Sequence, residues 1–179
     1  MINLAGMITA RPRDHLQAKP AAAKPVQVQI VETPVALEAA RGTLANGLAF
    51  SRELQALWDP SADPERFVYK GILSVALAWV EERIAGWGQL LVARPLYGEA
   101  ASGSAFCRVS LLDVAPAYRR RRFTDARSGH ALSVLLLNSL IKAAPWGAEV
   151  VAEVTPDAEN LFEEVGFKLR DSGRWLYVS

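Results

Sequence analysis

At 179 residues, 51% hydrophobic and 22% charged, the chain has an ordinary globular composition and enough length for one domain with a substantial core. Its net charge of +1 is unevenly spread: residues 1–25 sum to +3 and the remainder to −2, so the body is not built to hold a long polyanion. One cysteine, Cys107, excludes an internal disulfide and a cysteine-rich zinc site, and His15 and His130 belong to no metal-binding motif.

Residues 1–25, rich in Ala, Pro and Lys, bury too little apolar surface to order themselves and read as a flexible arm preceding a domain at 26–179. Val26, Val28 and Ile30 alternate with glutamines, the pattern of a half-buried strand. Thr33-Pro34 then supplies a helix start, and Leu37, Ala40, Leu44 and Leu48 continue at helical spacing. A second helix is expected over Ser51 to Trp58, then a loop at 59–64. Two apolar runs flank Glu81-Glu82-Arg83 and predict a hairpin, with Gly86 and Gly88 marking a bulge in its second strand. Phe106 to Val114 is the next strand, carrying a buried thiol at Cys107. Its end, Ser110 to Val114, has so little polar alternation that it is expected in mid-sheet with both faces covered.

A helix from Leu132 to Ile141, apolar nearly all round, precedes a strand at Glu149 to Val154. Strand, helix, strand is a unit whose two strands run parallel. Thr155-Pro156 repeats the helix start, Ala158 to Val165 forms a short helix, and Gly166 caps it. Phe167 to Arg170 and Trp175 to Val178 close the chain as a hairpin about a DSG turn. No apolar run spans a bilayer and no apolar core of signal-peptide length is present, so a cytoplasmic location without membrane contact is expected.

The junction from Val109 to Ile141 carries the chemistry. A strand delivering its end to a helix N-terminus makes a place for an anion, and here Arg119, Arg120, Arg121, Arg122 and Arg127 fall within nine residues. A plain solvated surface is a less favoured reading of the same run. A third reading, nucleic-acid contact through Tyr118, the arginines and Phe123, is disfavoured by the acidic remainder of the chain.

Three stretches resemble the GNAT superfamily of acyl-CoA-dependent N-acyltransferases: RIAGWGQLLV, DVAPAYRRRR and TPDAENLFEEVGF. The second is similar to the family's V-x-P-x-Y-R-G-x-G. The third matches N-x-x-A-x-x-L-Y-E-K-x-G-F at Ala158, Leu161, Glu163, Gly166 and Phe167 in one register. The resemblance covers Val26 onward. It implies an α/β (α+β) fold: a mixed, mostly antiparallel central sheet with one parallel strand–helix–strand unit and helices on both faces.

The resemblance also implies acyl transfer from acetyl-CoA or another acyl-CoA, without a metal, to an amine acceptor of unknown identity on a small molecule or a protein, by a protein that could form a homodimer. Leu112, Asp113 and Val114 would offer backbone to the pantetheine arm. Arg119, Arg120, Arg121, Arg122, Phe123 and Thr124, with Ser128 and Gly129, would receive the pyrophosphate. Thr155 and Phe162 would complete the coenzyme site. Asp113 and Glu153 are the carboxylates that could act in catalysis. The chain departs from the family where Arg122 and Thr124 replace two glycines, where Thr155 replaces an asparagine and where Phe162 replaces a tyrosine. An insertion that shifts the helix start to Ser128-Gly129 would reconcile the turn. A module that binds coenzyme or a partner protein without catalysis is the alternative.

Overall fold

The computed structural model describes residues 24–32, 41–49, 72–93, 106–120 and 122–177. The helix expected at Ser51 to Trp58, the loop at 59–64 and the arm through residue 23 lie outside them. The described residues hold strands β1 (Val26–Val31), β2 (Ile72–Val80), β3 (Arg83–Ala93), β4 (Phe106–Val114), β5 (Glu149–Ala152), β6 (Phe167–Leu169) and β7 (Trp175–Tyr177). They also hold helices α1 (Leu132–Ala143) and α2 (Glu159–Val165), and 3-10 turns at Arg41–Thr43 and Pro116–Tyr118. The strands form one sheet in the order β1-β2-β3-β4-β5-β7-β6, antiparallel except between β4 and β5.

Alternation along β2 divides the core. Ala76, Ala78 and Val80 face one cluster with Leu132, Leu136, Leu137 and Leu140 of α1, while Val75 and Leu77 face a second cluster with Ala45, Leu48, Ile84 and Trp87. Glu81 turns the β2–β3 hairpin at a left-handed φ of 57°. The register slips between Ala78 and Trp79, so a bulge does adjoin Gly86. The larger reason for the two glycines is the helix. A Cβ at Gly86 would lie 2.6 Å from Leu132 Cδ2 and 3.0 Å from Leu136 Cδ1, and one at Gly88 would lie 2.8 Å from Leu140 Cδ1. Leucines at i, i+4 and i+8 thus rest directly on bare backbone of β3.

Two boundaries differ from expectation. Residues 33–40 lie outside the described segments, but Leu44 and Leu48 are not helical. Arg41–Thr43 is a 3-10 turn, Leu44 bridges to Ile84, and Ala45 N donates to Ile84 O at 2.9 Å. Gly47, at φ 79°, breaks helical geometry, and the free edge of Ile84 offers a partner instead. The strand after α1 stops at Ala152 rather than Val154.

Where β4 meets β5 a cleft is created. Gln89 pairs with Leu111 and Leu90 with Val109, which leaves Ser110 as an extra residue, a β-bulge. Parallel pairing runs from Phe106↔Glu149 to Val109↔Ala152 and stops there, beside the bulge. Past this point β4 bends away from the chain following β5. Ser110 to Val114 is therefore in mid-sheet as expected but not covered on both faces: Leu111 is 40% exposed. Cys107, before the bulge, is fully buried, and burial pushes its thiol pKa up.

Candidate functional site

A cavity of about 470 Å³ occupies the opening, within the range of small-molecule sites. Val109 to Val114 form one wall and Glu153 to Thr155 the other. Leu161 and Phe162 of α2, with Asp157 and Ala158 just before it, close the cavity, and Arg119 and Ser133 enter from the β4–α1 side.

Backbone direction shows what the β4 wall presents. Ala115 N donates to Ala85 O of β3 at 2.8 Å. Val114, one residue earlier, points both its groups the other way: its N–H donates to Asp113 Oδ1 at 2.8 Å and its carbonyl accepts from Arg119 Nε at 3.2 Å. Strand alternation puts the N–H and carbonyl of Leu112 on the same slot-facing edge. A peptide-like ligand laid in the slot would find those groups.

The second feature is the start of α1. Its first turn has no side-chain cap and no acidic residue, and Ser133 of that turn lines the cavity. Uncapped helix amides at the positive end of a helix dipole favour an anion. The helix begins at Leu132, not at Ser128-Gly129 as the insertion account expected. Those two residues form an exposed turn before it, Gly129 at φ 71°.

That turn is organised by Asp125, which sequence reasoning did not single out. Its Oδ1 accepts from Val26 N at 2.8 Å, and its Oδ2 accepts from Ser128 N and Ser128 Oγ, each at 2.7 Å. Burial raises the carboxyl pKa, but these hydrogen bonds, with one from the Arg127 backbone, outweigh it and hold the net value below the ordinary one. The D-x-x-S spacing was the only local signal for this turn.

The remaining anticipated residues divide in two. Leu112, Asp113, Val114, Arg119, Glu153, Thr155 and Phe162 share the cavity. Asp113 already serves Val114 N, and Glu153, its side chain 75% exposed, lies 3.6 Å from Arg108. The Thr155 hydroxyl donates to Asp157 rather than capping α2, which starts later, after Ala158. Phe162 is 5% exposed and packs edge-on against Phe167, centroids 5.0 Å apart.

Arg120, Arg122, Phe123, Thr124, Ser128 and Gly129 do not line the cavity, and Arg121 lies outside the described residues. Arg120 bridges instead to Glu164 of α2 at 2.7 Å. The Arg119 carbonyl accepts from Arg122 N and Phe123 N, folding the segment into a turn. Phe123 packs against Tyr118 at 5.2 Å, and both rings adjoin the core. Asp157 and Ser133 are cavity residues that sequence reasoning missed. Among the described residues, no group of three or more His, Cys, Asp or Glu is placed to hold a metal, and no helix is long and apolar enough to cross a membrane.

No protein-family model matches the sequence and no curated protein matches it. Solved structures do match. An acetyltransferase of Trypanosoma brucei superposes with a TM-score of 0.50 at 16% identity, over 82% of this chain and 94% of that one. A mutant of KacT gives 0.51 at 10% identity, over 86% and 95%. Aminoglycoside N-acetyltransferase AAC(6')-Iy in complex with CoA gives 0.48 at 15%, over 82% and 90%. At these identities the likeness is one of fold. Among the described residues, a seven-stranded, mostly antiparallel sheet whose one parallel pair parts at a bulge, taken with the first two of these superpositions, gives this chain the fold of the GNAT acetyltransferases.

Proposed function

We propose that the chain is an acyl-CoA-dependent N-acyltransferase that moves the acetyl group of acetyl-CoA to an amine of a small molecule or a protein, with residues 26–179 as the acting domain. One observation carries this reading: the slot between β4 and β5 joins an unpaired strand edge at Leu112 to the uncapped N-terminus of α1. The pantetheine arm is amide-bearing and the pyrophosphate is an anion, so one ligand fits both ends. Arg119 adds a cation beside the cavity.

In the reaction the acceptor amine attacks the thioester carbonyl, a new C–N bond forms, and the coenzyme thiolate leaves. Holding the two reactants in line supplies much of the acceleration. The amine must arrive unprotonated or lose a proton during attack, and Asp113 and Glu153 are the candidate acceptors. Phe162 offers no proton to the thiolate.

That absence favours a second reading, a module that binds coenzyme without transferring its acyl group. Titration with coenzyme A followed by a thiol-release assay over a broad amine panel separates the two. Acetyl transfer predicts saturable binding, weakened in Arg119→Ala, together with thiol release for some amine. Binding without release would support the module, and no stabilisation by millimolar acetyl-CoA would refute both. Nucleic-acid contact is less favoured, because Tyr118 and Phe123 pack on one another and on the core, leaving less ring face for bases.

A further inference from the structure

We propose that Asp125 is the positioning residue of the coenzyme site. This rests on the reading above. It concerns the segment 115–131 that joins β4 to α1. Where Arg122 and Thr124 stand in place of glycines, the backbone lacks the freedom to fold closely round a phosphate, so something else must place the helix amides. Asp125 occupies that role from inside the fold. It is 5% exposed.

Both carboxylate oxygens are used, one toward the sheet and one toward the loop. Oδ1 holds Val26 N of β1, and Oδ2 holds the amide and hydroxyl of Ser128. The backbone of Asp125 closes the same turn: its N–H donates to His130 O and its carbonyl accepts from Gly129 N, each at 2.9 Å. Its neighbour Ala126 donates to Lys24 O at 3.2 Å.

His130 stands two residues before Leu132, the first residue of α1. The turn that fixes His130 therefore fixes where the first helical amides lie, and β1 is its anchor. Asp125 does not line the cavity. It acts through Ser128 to Leu132, and its effect belongs to the phosphate end of the slot, not to the strand edge at Leu112. Geometry of this kind is demanding: a displacement of about 1 Å at a binding group can cost on the order of 10²-fold.

The test is titration of the full chain with coenzyme A and with pantetheine, which has the same amide arm and no phosphate. Wild type, Asp125→Asn and Ser128→Ala are compared, each first shown to be folded by near-UV circular dichroism. The expected result is a loss of about 10-fold in coenzyme A affinity for Asp125→Asn and a smaller loss for Ser128→Ala. Pantetheine affinity stays within about twofold in both. Equal losses for the two ligands, or coenzyme A affinity unchanged in the folded variants, would overturn the positioning role while leaving the coenzyme reading intact. Failure of the wild type to bind coenzyme A would overturn both. Should Asp125→Asn not fold, Ser128→Ala decides, because its side chain is exposed and its loss removes only the hydroxyl's two hydrogen bonds, to Asp125 Oδ2 and from His130 N, while Val26 N and Ser128 N still donate to the Asp125 carboxylate.

Discussion

Replacing Gly86 by alanine tests the packing that sets the height of α1 over the sheet. The new methyl would sit 2.6 Å from Leu132 Cδ2, 3.0 Å from Leu136 Cδ1 and 3.0 Å from the Asp113 carbonyl. Carbon–carbon contacts are comfortable at about 3.5–4.0 Å, so the closest is short by about 1 Å. Leu132 and Leu136 are fully buried and cannot swing into solvent, and the Asp113 carbonyl is backbone. Relief must come from α1 lifting or from leucines leaving their preferred rotamers, which costs about 1–3 kcal/mol. Alanine recovers roughly 0.5–1 kcal/mol of backbone entropy in a strand. The net expectation is a destabilisation centred on about 1 kcal/mol and reaching about 2.5 kcal/mol, or up to roughly 10 °C in Tm for a chain of this size. Equilibrium unfolding in urea measures it, with Gly42→Ala as the control, since a Cβ there meets nothing within 4 Å. Adding Leu132→Val should recover part of the loss, giving less than additive effects. A Gly86→Ala midpoint equal to or above wild type, at unchanged m-value, would refute the claim that the helix rests on bare backbone.

Asp125 should make stability depend on pH in acid. Its pKa is lowered by folding, so its contribution is complete above the ordinary aspartate value of about 4 and is lost as pH falls through the lower folded value. The difference in denaturation midpoint between wild type and Asp125→Asn should therefore shrink below about pH 4, and a constant difference would contradict the assignment. Gly166→Ala should cost about 1–2 kcal/mol, because Gly166 ends α2 at φ 109° with its N–H shared by the Phe162 and Glu163 carbonyls; thermal unfolding reads this. Arg120 and Glu164, both side chains partly exposed, should show a coupling below about 1 kcal/mol in a double-mutant cycle. Phe162→Tyr should raise the rate of thiol release by roughly 10²-fold if the phenol reaches the leaving sulfur, measured with any amine that the wild type accepts.

What could be read from the sequence was what local rules decide. The β2–β3 hairpin, the run into β4, the apolar α1 and the closing hairpin each announced themselves by alternation, helical spacing or turn residues. The α2 register followed from Ala158, Leu161, Gly166 and Phe167. The misses share a cause in distance along the chain. Leucines at 37, 44 and 48 keep helical spacing, but the free edge of Ile84, some forty residues on, captured Leu44 and Ala45. Glycines at 86 and 88 looked like local irregularities because the leucines they admit come more than forty residues later. The turn before α1 is held from Val26, 99 residues from Asp125, and no window of sequence contains both. Cavity residues came through unevenly for the same reason: the strand and α2 positions had a register to follow, whereas Ser133 and Asp157 had none.

The bulge at Ser110 makes the cleft a matter of counting. β4 sets the nine residues 106–114 against the eight residues 86–93 of β3, and the surplus is taken up at one position. The opening then depends on strand length more than on the side chain at that position. A chain with Ser110 replaced by alanine keeps its slot, whereas a chain with Ser110 deleted can zip β4 onto the residues after Ala152 and close it. One residue gained or lost here is therefore expected to matter more to the slot than a substitution at the same place.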